Sequence, residues 1–459
     1  MNDYLSTPIS WMDETIDYFI PSKYKGNVRY LHPPEFSRKK QYEGTIEEAL
    51  DKVLKNPLGY DKSFDELIKD VYDPGKPIVF VVDDYTRPNI HTKIVLPILL
   101  ARVLSLGIPK DDIRILMACG THRMPKAEEY DKVLGKELYA EYKDLVVVHD
   151  CDKDIVTIGK SAAGTPLGFN KLAFESSILI PITDTELHYF AGVAGTVKEI
   201  CPGIAARETV RINHPKMFDR ELGFVPGCRL GNTEGNPVIT DIKNMVEIIK
   251  QQIVIFGVDC IVTEGEIVYV NAGDLLLLHE EGAKNIVPMR TVKVDRPGDL
   301  VIVGLQSWGI NLYQTGKGIH AAWNATRKDG KGEIIIVSPC IDGVGNASFA
   351  KVMEETKDMD LQEALEYILD NYCSETTFKI GNQKPVDLIR ILKTVGEENL
   401  KIVSKMDSEL LKSVYRLIPL EWQDDPVEAI RKEVERYMSE NPEAQIYVLD
   451  DPGIYVVVE

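Results

Sequence analysis

Residues 77–83, Pro-Ile-Val-Phe-Val-Val-Asp, form an unbroken apolar run that ends in acid. A strand this apolar needs cover on both faces, which a parallel sheet layered with helices supplies. The chain continues in that rhythm. A helical stretch over 91–107 leads to a second apolar run, Ile-Arg-Ile-Leu-Met-Ala at 113–118, and then a glycine turn. Further strands are expected at 145–150 and 176–182, and helices over 241–252 and 272–286. Around residues 290–300 the sequence turns polar and carries a Pro-Gly turn. A new β-α-β rhythm starts after it, with strands at 300–304 and 333–340, a helix from about Tyr313 to Arg327, and two strand-like runs in the tail at 443–459. The expectation is an α/β chain of two doubly wound domains, residues 1–292 and 293–459. In such sheets ligands bind beyond the carboxyl ends of the strands.

Charge and cysteine usage narrow the partners. A net charge of −19 argues against a broad nucleic-acid or anionic-membrane surface, though a small anion can still find a local basic pocket. The N-terminal residues lack a basic stretch followed by an apolar run, and no apolar run is long enough for a membrane span. The seven cysteines are scattered without a Cys-x-x-Cys pair, so they read as reduced thiols of a cytoplasmic protein. The sequence does not fix the oligomeric state.

Three polar clusters come after expected strands. Asp83, Asp84 and Arg87 lie in "DDYTRP", and His122 in "GTHR". His188, Lys198 and His214 share the glycine-rich stretch 186–215. Neither a phosphate-binding G-x-x-x-x-G-K-[ST] loop nor a G-x-G-x-x-G turn is present. The acid-rich loop 149–154 is read as a solvated turn rather than a metal site.

Taken together, these clusters resemble the lactate racemase family. The matching residues are "DDYTRP", "GTHR", the series His188, Gly192, Gly195, Lys198, Pro202-Gly203, Thr209 and Asn213-His214, and "YQTGKG" at 313–318. The resemblance runs over roughly residues 45–395. It implies that Lys198 carries a nickel-pincer nucleotide through a thioamide bond, with His214 as the histidine ligand of nickel. It implies an acid/base pair, His122 and His188, one for each enantiomer of a 2-hydroxy acid. Arg87 would take the substrate carboxylate, and Asp84, Gly192 and Gly195 would lie beside the cofactor. Tyr313, Gln314 and Lys317 would close over the substrate from the second domain, placing the active site in the cleft between the two. The implied activity is a racemase or epimerase that passes the C2 hydrogen as hydride, with cofactor-maturation enzymes as partners. A non-catalytic carrier or sensor of the cofactor is the alternative, and such a protein would need no acid/base pair.

Departures from the family pattern carry their own expectations. Thr196 replaces a glycine near the cofactor. "FKIGNQKP" at 378–385 lacks the tryptophan that lines the lactate pocket. Asn382, Gln383 and Lys384 would then turn polar groups toward a larger or more polar substrate than lactate, unless Trp308 or Trp323 supplies the missing wall. His91 and His320 are read as additional polar groups near the site, or as surface histidines.

Overall fold

The structure, a computed structural model, describes residues 3–12, 14–451 and 453–458. By internal contacts the chain divides into two compact units. One comprises residues 35–217 and 227–289; the other comprises 1–34, 218–226 and 290–459.

The first unit is built on a six-stranded sheet. Its order is Glu266–Gly273, Gly257–Thr263, Ile178–Asp184, Ile78–Asp83, Ile113–Ala118, Val146–Val148. All neighbours are parallel except the first pair, which forms an antiparallel edge. Ile78, Val79, Phe80, Val81 and Val82 are all fully buried, as a strand covered on both faces requires. The helix Ile90–Ser105 comes directly after that strand in the chain and covers one side of it, burying Val95, Leu96, Leu99 and Val103. Ile178–Asp184, Ile78–Asp83 and Ile113–Ala118 are adjacent, with Asp83 in register with Ala118. Their carboxyl ends therefore deliver residues 83–89, 119–123 and 185–198 to one edge of the sheet.

The second unit holds another six-stranded sheet. Its order is Ile418–Pro419, Leu400–Val403, Glu333–Val337, Leu300–Gly304, Ile446–Leu449, Val28–Leu31, parallel throughout. Both tail runs are strands, the second pairing with Thr291–Val294. The helix expected near 313–327 spans Leu312–Ala325.

Two segments depart from the expected division at 292–293. Val28–Leu31 is hydrogen-bonded into the sheet of the C-terminal unit, and Phe218–Pro226 groups with that unit as well. An edge strand is recruited through backbone hydrogen bonds, which any residue type supplies, so sequence pattern does not announce its partner.

Candidate active site

The loop after Ile78–Asp83 is closed by its own side chains. Asn89, at a φ of 58°, donates from Nδ2 to the carbonyls of Asp84 and Arg87 at 2.7 and 2.9 Å. Asp84 is 4% exposed. One carboxylate oxygen accepts from Thr86 N–H at 3.0 Å and from its hydroxyl at 2.5 Å. The other lies 2.6 Å from His122 Nδ1. Asp84 therefore orients His122, keeping the ring proton on Nδ1 and leaving the Nε2 lone pair toward solvent. The Arg87 guanidinium is partly exposed and 3.8 Å from Glu186.

The His122 turn is docked on the lysine loop. Gly120 N–H donates to Gly203 O at 2.8 Å, and Gly203 N–H donates to Lys198 O at 3.0 Å. A side chain at Gly203 would stand 2.3 Å from Glu199 O, so the Pro-Gly turn admits only glycine there.

His188 pairs with Gly192 in a short hairpin. Its Nδ1 accepts from Ala191 N–H at 3.2 Å. A backbone N–H can only donate, so the neutral His188 ring carries its proton on Nε2, the opposite tautomer to His122.

The ring of Phe190 is where the two histidines and the lysine meet. His188 approaches it edge-on with centroids 4.4 Å apart, His214 approaches it edge-on at 5.5 Å, and Lys198 Nζ lies 5.3 Å from its centroid. Lys198 is buried, and burial together with the nearby Arg87 guanidinium brings its amine down to about 7. His214 is 1% exposed; burial and then the Lys198 charge push it down to about 3, so it is a neutral imidazole. A neutral buried imidazole beside an amine that gives up its proton near neutral pH fits a site that holds a soft-donor nickel group.

The glycines of this loop answer to the protein's own backbone. A Cβ at Gly192 (φ 80°) would stand 1.9 Å from Asn232 O, and one at Gly195 (φ 79°) 2.7 Å from Asp184 O. What each glycine permits is close packing of the protein's own backbone.

Beneath the loop lies a buried polar layer. Asp83 approaches His91 Nε2 at 3.3 Å. Burial pushes Glu199 and Asp184 well above the usual carboxylate range, and Glu199 shares a hydrogen bond with Asp83. His91 is thus not a surface histidine; it is 1% exposed and paired with a buried acid.

In the C-terminal unit, Tyr313, Gln314 and Lys317 sit half-buried on Leu312–Ala325. Lys384 Nζ lies 5.7 Å over the Tyr313 ring and Lys317 Nζ 4.4 Å over Trp308. A cavity lined by Tyr313, Gly316, Phe349 and Lys384 opens there. The expectation for 382–384 is corrected in two of its three residues. Asn382 donates to Tyr372 O at 2.7 Å and accepts from Ser348, and Gln383 accepts from Gly381 N–H at 2.8 Å. Both side chains are engaged by neighbouring protein groups, and of the three only Lys384 lines the cavity. His320 is buried against Asp387 at 3.1 Å, away from any surface role. Trp323 donates to Thr394 Oγ1 at 2.8 Å.

The 149–154 loop brings Asp150, Cys151 and Asp152 ligand atoms within 4.8 Å of one another, but Asp152 is paired with Arg207 at 2.7 Å and Asp150 with Lys153 at 3.2 Å. His149 bonds Ala205 O and Asn170.

Residues 13–223 match the lactate racemase N-terminal domain, and residues 295–458 match the lactate racemase C-terminal domain. The chain is 31% identical to lactate racemase of Thermoanaerobacterium thermosaccharolyticum over 335 residues, 72% of this chain and 74% of the relative. It is 32% identical to lactate racemase of Lactiplantibacillus plantarum over 314 residues, 68% of this chain and 70% of the relative. The chain belongs to the lactate racemase family. Its fold matches the lactate racemase apoprotein of Thermoanaerobacterium thermosaccharolyticum with a TM-score of 0.80 at 26% identity, covering 99% of this chain and 100% of that chain. A protein from Thermotoga maritima, 20% identical, shares the fold with a TM-score of 0.63 over 91% of this chain and 100% of that one.

Within the family pattern, sequence reasoning missed Phe190, Asn89 and the Asp83–Glu199 pair. Phe190 carried a usable signal, since it sits between two motif residues in "HYFAG".

Proposed function

We propose that the chain is an isomerase that inverts C2 of a 2-hydroxy acid, with Lys198 carrying a nickel-pincer nucleotide and His214 as its nickel ligand. The observation that carries this reading is the convergence of His188, Lys198 and His214 on the Phe190 ring. When bound, that group supplies a hydride acceptor and donor for the C2 hydrogen. The remaining work falls to the chain. Lys198, with its amine brought down to about 7, is unprotonated often enough to form and keep a covalent bond. The Arg87 guanidinium takes the substrate carboxylate, a bidentate pairing that fixes the orientation of C2. His122, held by Asp84, receives the hydroxyl proton at Nε2. His188 takes the hydroxyl proton of the opposite enantiomer at Nε2, which requires its own ring proton to shift from Nε2 to Nδ1 and Nδ1 to release Ala191 N–H first.

Tyr313, Gln314 and Lys317 are the substrate contacts that this reading assigns to the C-terminal unit. Lys384, at the Tyr313 cavity, favours a substrate with a polar or anionic end over lactate. The reading includes a cytoplasmic location, where maturation enzymes would load Lys198.

The test uses protein co-produced with cofactor-maturation enzymes and incubated with single enantiomers of lactate, malate and glycerate. Interconversion in D2O with protium retained at C2 is expected, because the hydrogen leaves and returns as hydride. Deuterium at C2 would indicate deprotonation and overturn the mechanism, and lactate as the best substrate would overturn the Lys384 argument.

A further inference from the structure

The helix Leu275–Arg290 lies outside every motif of the sequence, yet one face of it is pressed against the lysine loop. Its buried positions include Leu275, Leu278, His279, Gly282, Ile286 and Met289, three or four residues apart. Ile286 and Met289 pack in one cluster with Val193. His279 is fully buried, and its Nδ1 lies 2.9 Å from Thr196 Oγ1. One turn further on, a Cβ at Gly282 would stand 2.8 Å from Thr185 Oγ1 and 2.9 Å from Asp259 Oδ2. Thr185 is itself the residue whose Cα would stand 3.1 Å from a Cβ at Gly195. Positions 279 and 282 thus bear on the two sides of the Gly195-Thr196 turn.

That turn needs support. Thr196 has a φ of 44°, in the left-handed region that a β-branched side chain rarely adopts. Such a conformation costs on the order of 1–3 kcal/mol and persists only where the surroundings impose it. Its hydroxyl finds a partner in His279. The turn in turn places Lys198, whose N–H donates to Gly195 O at 2.9 Å. His279 is an expensive choice for a packing residue, because its Nε2 is buried with no hydrogen-bond partner among the described residues. A leucine would avoid that cost but leave Thr196 without its bond.

We propose that His279 is a positioning residue: through its bond to Thr196 it holds the left-handed turn that presents the Lys198 amine. The functional consequence rests on reading Lys198 as the cofactor-bearing lysine, whereas the structural coupling does not.

The test compares the full chain with His279→Leu, His279→Asn, Thr196→Ala and the double variant His279→Leu/Thr196→Gly. Two quantities are read: amide hydrogen exchange over residues 195–199, and the fraction of Lys198 bearing a covalent adduct by peptide mass after co-production with maturation enzymes. His279→Leu and Thr196→Ala should speed exchange and lower the adduct fraction, each about tenfold. His279→Asn keeps a polar atom near the Nδ1 position and should stay within about twofold of the parent. In the double variant glycine takes the positive φ without strain, so both quantities should recover. Unchanged exchange in His279→Leu and Thr196→Ala, or no recovery in the double variant, overturns the proposal. If the parent chain carries no adduct, the assignment of Lys198 fails, and the exchange data still decide the role of His279. Should His279→Leu not fold, Thr196→Ala reads the same bond from its other end.

Discussion

At the scale of single residues, the site is defined by who donates to whom. His122 and His188 have the same side chain and opposite tautomers, because one faces a carboxylate and the other a backbone N–H. Nitrogen-15 NMR of the neutral rings should show the His122 proton on Nδ1 and the His188 proton on Nε2; the reverse pattern for either would refute its assigned state. Asp84→Asn offers His122 an amide that can donate to Nδ1 and so favours the wrong tautomer. Turnover should fall by about 10²–10⁴-fold with the fold retained. Lys198 makes a prediction that needs no substrate. Its folded pKa, about 7, lies below the ordinary 10.5. Below pH 7 the amine is charged in both states and the full desolvation penalty acts on the folded one. Between 7 and 10.5 the unfolded state binds more protons, so stability rises with pH. Lys198→Met should therefore stabilise the cofactor-free protein by on the order of a few kcal/mol at about pH 6, with the gain shrinking toward about pH 10. An equal gain at both pH values in denaturant titrations would contradict the depressed amine.

At the scale of elements, the helix Gln383–Val395 shows how a polar segment becomes interior. Its residues from 383 to 392 are all buried, including Asp387 and Arg390. Burial alone would raise the Asp387 carboxyl, but His320 and Arg390, at 3.1 and 2.7 Å, hold it below its usual range. Replacing one partner leaves the other charges buried and uncompensated. Asp387→Asn should cost about 3–5 kcal/mol at neutral pH. Because the folded pKa is depressed, that contribution is present above the unfolded value of about 4 and is lost as pH falls, so the gap between parent and variant should close in acid. A gap that stayed constant into strong acid would show that the carboxylate charge is not what matters. Sequence patterning does not mark this helix as interior, since Lys384, Asp387, Arg390 and Lys393 recur every three residues and read as a solvent-facing stripe. The helices Ile90–Ser105 and Leu275–Arg290, by contrast, are legible from their apolar runs.

At the scale of the whole molecule, all seven cysteines are free and buried in the two units. Burial pushes the thiol of Cys201 up to about 12 and raises those of Cys119, Cys260 and Cys373 as well. A thiol that is protonated and enclosed is a poor nucleophile. An aromatic disulfide reagent should find essentially no fast-reacting thiol in the native protein and all seven in denaturant. Rapid native labelling of any one would place that cysteine outside the core.

The α/β class, the strands Ile78–Asp83, Ile113–Ala118, Val146–Val148 and Ile178–Asp184, the helices Ile90–Ser105 and Leu275–Arg290, and the placing of His122, His188 and Lys198 beyond strand ends were all legible in the sequence alone. Continuous apolar runs and glycine turns are local signals, and an apolar strand can only be satisfied inside a layered sheet. The tertiary structure decided what depends on partners distant in the chain. Val28–Leu31 joins the sheet of the C-terminal unit, Asn382 and Gln383 turn inward rather than toward a ligand, and His279 reaches Thr196 across the fold. Each of these is a hydrogen bond between groups that carry no mark of their partner in the sequence. Which donor meets which acceptor is settled only when packing has brought them within about 3 Å.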